Sequence, residues 1–136
     1  MSEGEPVIEG YTVAATGPFF VVCISKKVKK VIENAPPSDR RKVGRLMGHL
    51  AEHGQALLSA DNLKREGAFP SGLPGVSNQV VWVFRSNQLR VYGGFCRVNN
   101  REIFVCDEAD IKKQDAADQR LLARAGKHLG ERNANQ

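Results

Sequence analysis

Two arginines on either side of a predicted turn are the residues in this 136-residue chain whose spacing most directly indicates chemistry. Asn87-Gln88 fits a two-residue hairpin turn, so Arg85 lies opposite Arg90, and Tyr92 follows on the same face of the sheet. Like charges directly across a ladder are mildly destabilising, whereas a phosphate would neutralise both guanidiniums through bidentate hydrogen bonds. The pair therefore predicts an anion site, beside which Tyr92 could stack on a base or hold a hydroxyl. The alternative interpretation is that both arginine side chains extend into water and Tyr92 is ordinary packing.

Three further arginines are candidate RNA-binding residues. Arg41 and Arg45 recur one turn apart on a predicted helix, on a mostly basic face that also carries His49. This face is either ordinary solvated surface or a flank that contacts phosphates. Arg101 begins the last predicted strand on the same face as Arg85 and completes the set.

Hydrophobic periodicity and turn residues give the elements that would position these side chains. The expected elements are a buried strand over 19–25, helices over 26–34 and 38–58, strands over 80–85, 89–98 and 101–108, and a helix over 115–129. Pro36-Pro37 separates the first two helices, and 61–77 is expected to be a long loop. The sequence thus predicts an α+β fold with a short N-terminal strand, a helical hairpin, an antiparallel three-stranded meander that completes a twisted sheet, and a C-terminal helix.

A second two-residue turn at Asn99-Asn100 fixes which side chains of the meander share a face. One face is apolar and is expected to be the core: Val80, Trp82, Phe84, Leu89, Val91, Phe95, Phe104 and Cys106. Near the turn, Arg97 lies opposite Glu102 as an expected ion pair. The other face, which carries the arginine pair, is expected to be a mixed surface that is neither clean core nor clean solvent. A bulge at Gly93-Gly94 would exchange the two faces beyond it.

Length and composition limit the class of protein. The chain is long enough for one domain, and 41% hydrophobic with 26% charged residues excludes wholesale disorder and collagen-like sequences. We expect an acidic, partly ordered arm over 1–18, one domain over 19–130, and a frayed tail over 131–136. The net charge of +5 suits a polyanionic partner without identifying it.

The chain carries no sequence signal for a membrane or for export. No apolar stretch approaches the roughly 18 residues of a membrane span, and the acidic N-terminus is unlike a signal peptide. Cys23, Cys96 and Cys106 are odd in number and show no CxxC spacing, so we expect buried free thiols and no metal site. The sequence therefore predicts a cytoplasmic protein.

Three stretches carry a resemblance to a known family, over roughly residues 19 to 130. FFVVCISKKVKKVIENAPPSDRRKVGRLMGHLAEHG is similar to that family's first strand and helical hairpin. VVWVFRSNQLRVYGGF is similar to its segment in which one arginine ends a strand and another precedes an aromatic residue. IFVCDEADIKKQDAADQRLLARA is similar to its last strand, which is followed by a paired lysine and a helix. Together they resemble the RelE/ParE toxin superfamily, and most closely its HigB-type and phage-derived RelE-like branch.

The resemblance implies a toxin of a type II toxin–antitoxin system, which enters the ribosomal A site and cleaves mRNA by attack of a 2′-hydroxyl on the adjacent phosphate. Such a reaction needs a base, an acid and cations, but no metal or other cofactor. By the resemblance, Arg85 and Arg90 would hold the phosphate while Tyr92 positions a base or ribose. Lys112 or Lys113 would donate a proton or stabilise charge. The implied partners are a cognate antitoxin and mRNA on the ribosome.

The chain departs from the HigB pattern in its last predicted strand. Many HigB-like relatives have a histidine before the paired lysine, where this chain has Asp107-Glu108-Ala109. Its own histidines, His49, His53 and His128, lie on predicted helices, where solvated surface roles are expected. Two alternatives stay open: a relative that binds RNA, the ribosome or an antitoxin without cleaving, and a ParE-like protein that acts on DNA gyrase.

Overall fold

The computed structural model describes residues 8–111 and 118–134, which fold into six strands and three helices. In chain order these are β1 (Thr12–Thr16), β2 (Val21–Ile24), α1 (Lys26–Glu33), α2 (Pro37–His53), β3 (Leu63–Phe69), β4 (Gln79–Ser86), β5 (Leu89–Val98), β6 (Arg101–Ile111) and α3 (Gln119–Ala134), with a 3-10 turn at Gln55–Leu57. The fold is α+β, as the sequence predicts.

The helical hairpin begins and ends at residues that the sequence marks. Ser25 caps α1 by accepting a hydrogen bond from the Val28 backbone N–H at 3.2 Å. A proline occupies the first position of α2, where the missing N–H costs nothing. That helix ends at His53 rather than near Leu58, because Gly54 adopts a φ of 79° and leaves the helical path.

One mixed sheet contains all six strands in the order β1-β2-β6-β5-β4-β3. The pair β2 and β6 is parallel and the other neighbours are antiparallel, so the predicted meander of β4, β5 and β6 is confirmed. Both turns of the meander contain asparagines with positive φ, at Asn87, Asn99 and Asn100. The predicted ion pair beside the second turn also forms, with 2.6 Å between Arg97 Nη2 and Glu102 Oε2.

A bulge interrupts the ladder between β5 and β6. Gly93 pairs with Cys106, but Tyr92 pairs with Glu108, so Asp107 is the extra residue. The glycine pair leaves room for a bulge on β5, whereas the inserted residue lies on the facing strand, β6. Gly93 permits the close approach beside it, because a Cβ there would lie 2.3 Å from the carbonyl oxygen of Val105.

The sheet has a core on each face. The helices α1 and α2 cover the face that the sequence predicts as core, where Phe84, Leu89 and Phe104 are fully buried. The opposite face is not the mixed surface that the sequence predicts. There α3 packs Leu122 and Leu129 against the sheet and buries a second apolar cluster. The sequence pattern shows an amphipathic terminal helix but not the face on which it packs.

The expected secondary structure of three further segments needs correction. Residues 12–16, expected within a partly ordered arm, form β1 and pair with β2. Residues 63–69, expected within a loop, form β3 at the other edge of the sheet. Residues 131–134, expected in a frayed tail, continue α3, where Arg132 donates to the Tyr11 hydroxyl and Asn133 donates to Gln79. Both missed strands are edge strands with few large apolar residues, which weakens their sequence signal.

The three cysteines are free and buried, as predicted. Within the described ranges, none of the helices combines the length and the apolar character that a membrane span requires.

The substitution Gly93→Ala tests the close approach of β5 to β6. A methyl group there would collide with a backbone carbonyl, so we expect the free energy of unfolding to fall by about 2 kcal/mol. Gly48→Ala in α2 is the matched control, because its Cβ would meet nothing within 4 Å. That control should gain about 1 kcal/mol from helix propensity. Urea unfolding measures both, and equal effects would contradict the close approach.

The buried thiols predict a loss of stability at alkaline pH. Burial raises the pKa of Cys23 and that of Cys96 from 9.0 to about 11. Between these values the folded state keeps thiol protons that the unfolded state has lost, so stability falls as the pH rises. Cys96→Ala should make the decline between pH 9 and 11 shallower by about 1 kcal/mol per pH unit. Urea unfolding across that range checks this, and an unchanged slope would contradict it.

Candidate active site

The opposed arginine pair forms in the predicted register, but its two members lie in different environments. Arg90 is 2% exposed, and its Nη1 donates to the carbonyl oxygens of Asn87 at 2.8 Å and Leu89 at 3.2 Å. Its Nε is buried without a hydrogen-bond partner among the described residues. Arg85 is half-buried. The structure therefore ties Arg90 to its own turn and leaves Arg85 as the more accessible cation.

Tyr92 lies in the core beneath α3. It has no exposed surface, and its hydroxyl accepts from the Asp118 backbone N–H at 3.1 Å and lies 3.4 Å from Asp110 Oδ1. Burial raises the pKa of this hydroxyl above its usual value. A base has no access to the ring in this arrangement, so the predicted stacking surface is absent from the described structure.

The remaining predicted residues are not brought together. Lys112 and Lys113 lie outside the described residues. Arg41 and Arg45 are exposed on α2, where they line an open groove of about 620 Å³ together with Ser38 and Gly44. Arg101 is half-buried at the start of β6, at the end of the meander away from Arg85. The groove belongs to the face of the sheet opposite α3.

A charged cluster that the sequence did not predict lies next to the bulge in β6. Its centre is Glu108, whose side chain is 4% exposed. Three cationic or titratable groups surround it: Lys27 Nζ at 2.5 Å, His128 Nε2 at 3.3 Å and Arg124 Nη1 at 3.7 Å. Those three side chains keep 48%, 43% and 52% of their surface exposed. We call these four residues the Glu108 cluster.

The neighbouring carboxylate, Asp107, is enclosed instead. It accepts a short hydrogen bond from the Tyr11 hydroxyl, and Arg132 Nη2 lies 3.9 Å from the same oxygen. The Arg132 guanidinium also donates to the Tyr11 hydroxyl at 2.8 Å and lies 4.8 Å from the ring centroid. Burial, followed by the hydrogen bond to Asp107, raises the pKa of Tyr11. This second set fastens the end of α3 to β6 and to the segment before β1.

The bulge explains why two consecutive residues of one strand both reach α3. Side chains alternate between faces in a regular strand, and one inserted residue changes that alternation locally. On the helix side, the partners follow a spacing of four residues that places them on one face of α3: Arg124, His128 and Arg132. This spacing is the sequence signal for the cluster, but its target on β6 depends on the bulge.

The Glu108 cluster has the chemical groups of an anion site with a titratable side chain. One buried carboxylate holds an imidazole, an ammonium and a guanidinium in place, and each of the three still has surface that a ligand can contact. The described residues contain no group of three His, Cys, Asp or Glu side chains that could hold a metal ion.

Comparisons of the chain with protein-family models, with curated proteins and with solved structures give no match.

Replacing each arginine of the opposed pair by methionine should separate their roles. Arg90→Met removes two hydrogen bonds from a buried charged group to turn carbonyls, so we expect a loss of about 2 kcal/mol in the free energy of unfolding. Arg85→Met, the matched control across the ladder, should change it by less than about 0.5 kcal/mol. Urea unfolding measures both values. A larger loss for Arg85→Met would contradict the assignment.

Proposed function

We propose that this protein is a RelE/HigB-like toxin of a type II toxin–antitoxin system that cleaves mRNA on the ribosome without a metal. The observation that carries the proposal is the convergence of Lys27, Arg124 and His128 on Glu108. Its central residue, Glu108, lies on β6, the strand in which many HigB-like relatives have a histidine.

The cluster supplies what metal-independent RNA cleavage needs. Attack of a 2′-hydroxyl on the adjacent phosphate requires a proton acceptor and cations that stabilise the charge of the phosphorane. With one carboxylate against an ammonium, a guanidinium and an imidazole, the cluster keeps a net positive charge. A phosphate is therefore attracted despite the carboxylate.

The order of elements also supports the proposal. The strand β2, the hairpin of α1 and α2, the meander and α3 follow each other as the resemblance implies for a RelE-like fold. On this reading, β1 and β3 are additions at the two edges of the sheet. The exposed Arg41 and Arg45 on α2 would contact further phosphates of the ribosome, on a face away from the cleavage site.

The proposed partners are mRNA on the ribosome and a cognate antitoxin in the cytoplasm. One observation favours a second candidate function, that of a relative that binds RNA or the antitoxin without cleaving. Arg90 and Tyr92, which the resemblance assigns to substrate, are both buried. The two candidates differ in whether mRNA is cut.

Mapping of mRNA 5′ ends after induction of the gene in a bacterial host separates these candidates. We expect growth arrest with new, codon-linked 5′ ends. The double substitution Lys27→Ala, Arg124→Ala removes two half-exposed cations and should lower the cut frequency at least tenfold, about 1.4 kcal/mol of transition-state stabilisation.

Arg97→Ala is the matched control, because it removes an exposed, ion-paired arginine at the far end of the meander. It should cut like the wild type. Growth arrest without new 5′ ends would favour the non-cleaving relative, and an SOS response without cuts would favour a gyrase inhibitor.

A further inference from the structure

His128 is distinguished from the other two histidines by its surroundings. His49 and His53 contact each other on α2, with tilted rings whose centroids lie 4.8 Å apart. The Nε2 of His128 instead faces the buried carboxylate of Glu108 at 3.3 Å, while 43% of the side chain is open to solvent. A carboxylate that holds one ring nitrogen fixes the orientation of the imidazole and leaves the other nitrogen, Nδ1, free to take a proton.

We infer that His128 is the general base of the proposed endoribonuclease and that Glu108 is the positioning residue that orients it. The inference rests on the proposed function, and it names the residue that acts in that site. Lys27 and Arg124, on the same carboxylate, hold the phosphate that is attacked. The histidine that the last strand lacks is thus supplied from α3, across the bulge.

The reaction that this geometry supports is a transfer within one ribonucleotide step. The 2′-hydroxyl gives its proton to Nδ1 of His128 as the bond between the 2′-oxygen and phosphorus forms. The bond between phosphorus and the 5′-oxygen breaks, and the leaving oxygen takes a proton from water. His128 then returns its proton to solvent, so the protein ends unchanged. The products are a 2′,3′-cyclic phosphate and a 5′-hydroxyl, and DNA, which has no 2′-hydroxyl, is not a substrate.

The bulge gives this arrangement a structural basis. Bulges occur next to active sites, where they redirect a side chain. Here the inserted Asp107 is enclosed by Tyr11 and Arg132, which fastens the C-terminal end of α3. His128 lies one helical turn before Arg132 on the same face of α3. Because that end of the helix is fixed, His128 is held against Glu108. The fixed helix makes the imidazole a preorganised base rather than a mobile surface group.

Cleavage of mRNA by the purified protein on programmed ribosomes, with and without added imidazole, tests the inference. His128→Ala should lower the cleavage rate at least 100-fold, as expected for loss of a general base. Added imidazole should restore at least a tenth of the lost rate, because the removed side chain was accessible. His53→Ala, at the exposed end of α2, is the control and should neither lose activity nor respond to imidazole. An mRNA with a 2′-deoxy nucleotide at the cut position should bind and stay intact.

Glu108→Gln tests the positioning role. Alone it should lower the rate about tenfold. In the His128→Ala background it should lower the rate by a smaller factor, because only its contacts with Lys27 and Arg124 are then left to lose. His128→Gln serves as a second variant if His128→Ala fails to fold. If the wild type cuts and neither His128 variant differs from it, or if imidazole rescues nothing, the inference is overturned while the proposed function stands. If the wild type leaves mRNA intact, both are overturned.

Discussion

A one-residue bulge in β6 is the constraint on which the rest of the site depends. It exists where Gly93 lets β5 and β6 approach so closely that a Cβ would lie 2.3 Å from a carbonyl oxygen. The inserted residue changes the alternation of the strand, so that Asp107 and Glu108 both contact side chains of α3. Two adjacent carboxylates on one face repel each other, and each is stable there only because cations from other elements compensate it.

The two carboxylates are compensated in different ways. The partners of Asp107 serve the fold, whereas those of Glu108 can still contact a ligand. Asp107 pairs with Arg132, whose side chain is only 20% exposed, and with the Tyr11 hydroxyl, so its interactions stay within the fold. Glu108 is equally buried, but the three groups around it keep about half of their surface. Enclosed partners fix the helix, whereas half-exposed partners can exchange a contact with the protein for a contact with a ligand. The Glu108 cluster is thus a solvent-accessible opening in the layer of polar contacts under α3, which is closed around Asp107.

Local sequence rules predict much of the fold, but neither the burial of Arg90 and Tyr92 nor the Glu108 cluster. The helical hairpin follows from helical spacing and prolines, and the meander follows from its asparagine turns. These turns also set Arg85 opposite Arg90. All of these features depend on a few neighbouring residues. The burial of Arg90 and Tyr92 depends on where α3 packs, which no local pattern specifies. The Glu108 cluster needs both that packing and the position of the bulge. The four-residue spacing along α3 is visible in the sequence, but only the tertiary structure shows that it faces a buried carboxylate.

A crystal structure of the protein with a short oligoribonucleotide whose 2′-hydroxyls are methylated would test most directly whether this opening binds RNA. Methylation blocks the attack and keeps the strand intact. We predict a phosphate between Lys27 Nζ and the Arg124 guanidinium, with the adjacent 2′-oxygen facing His128 Nδ1. A strand bound along Arg41 and Arg45 on α2, with the Glu108 cluster making no contact to RNA, would contradict the assignment.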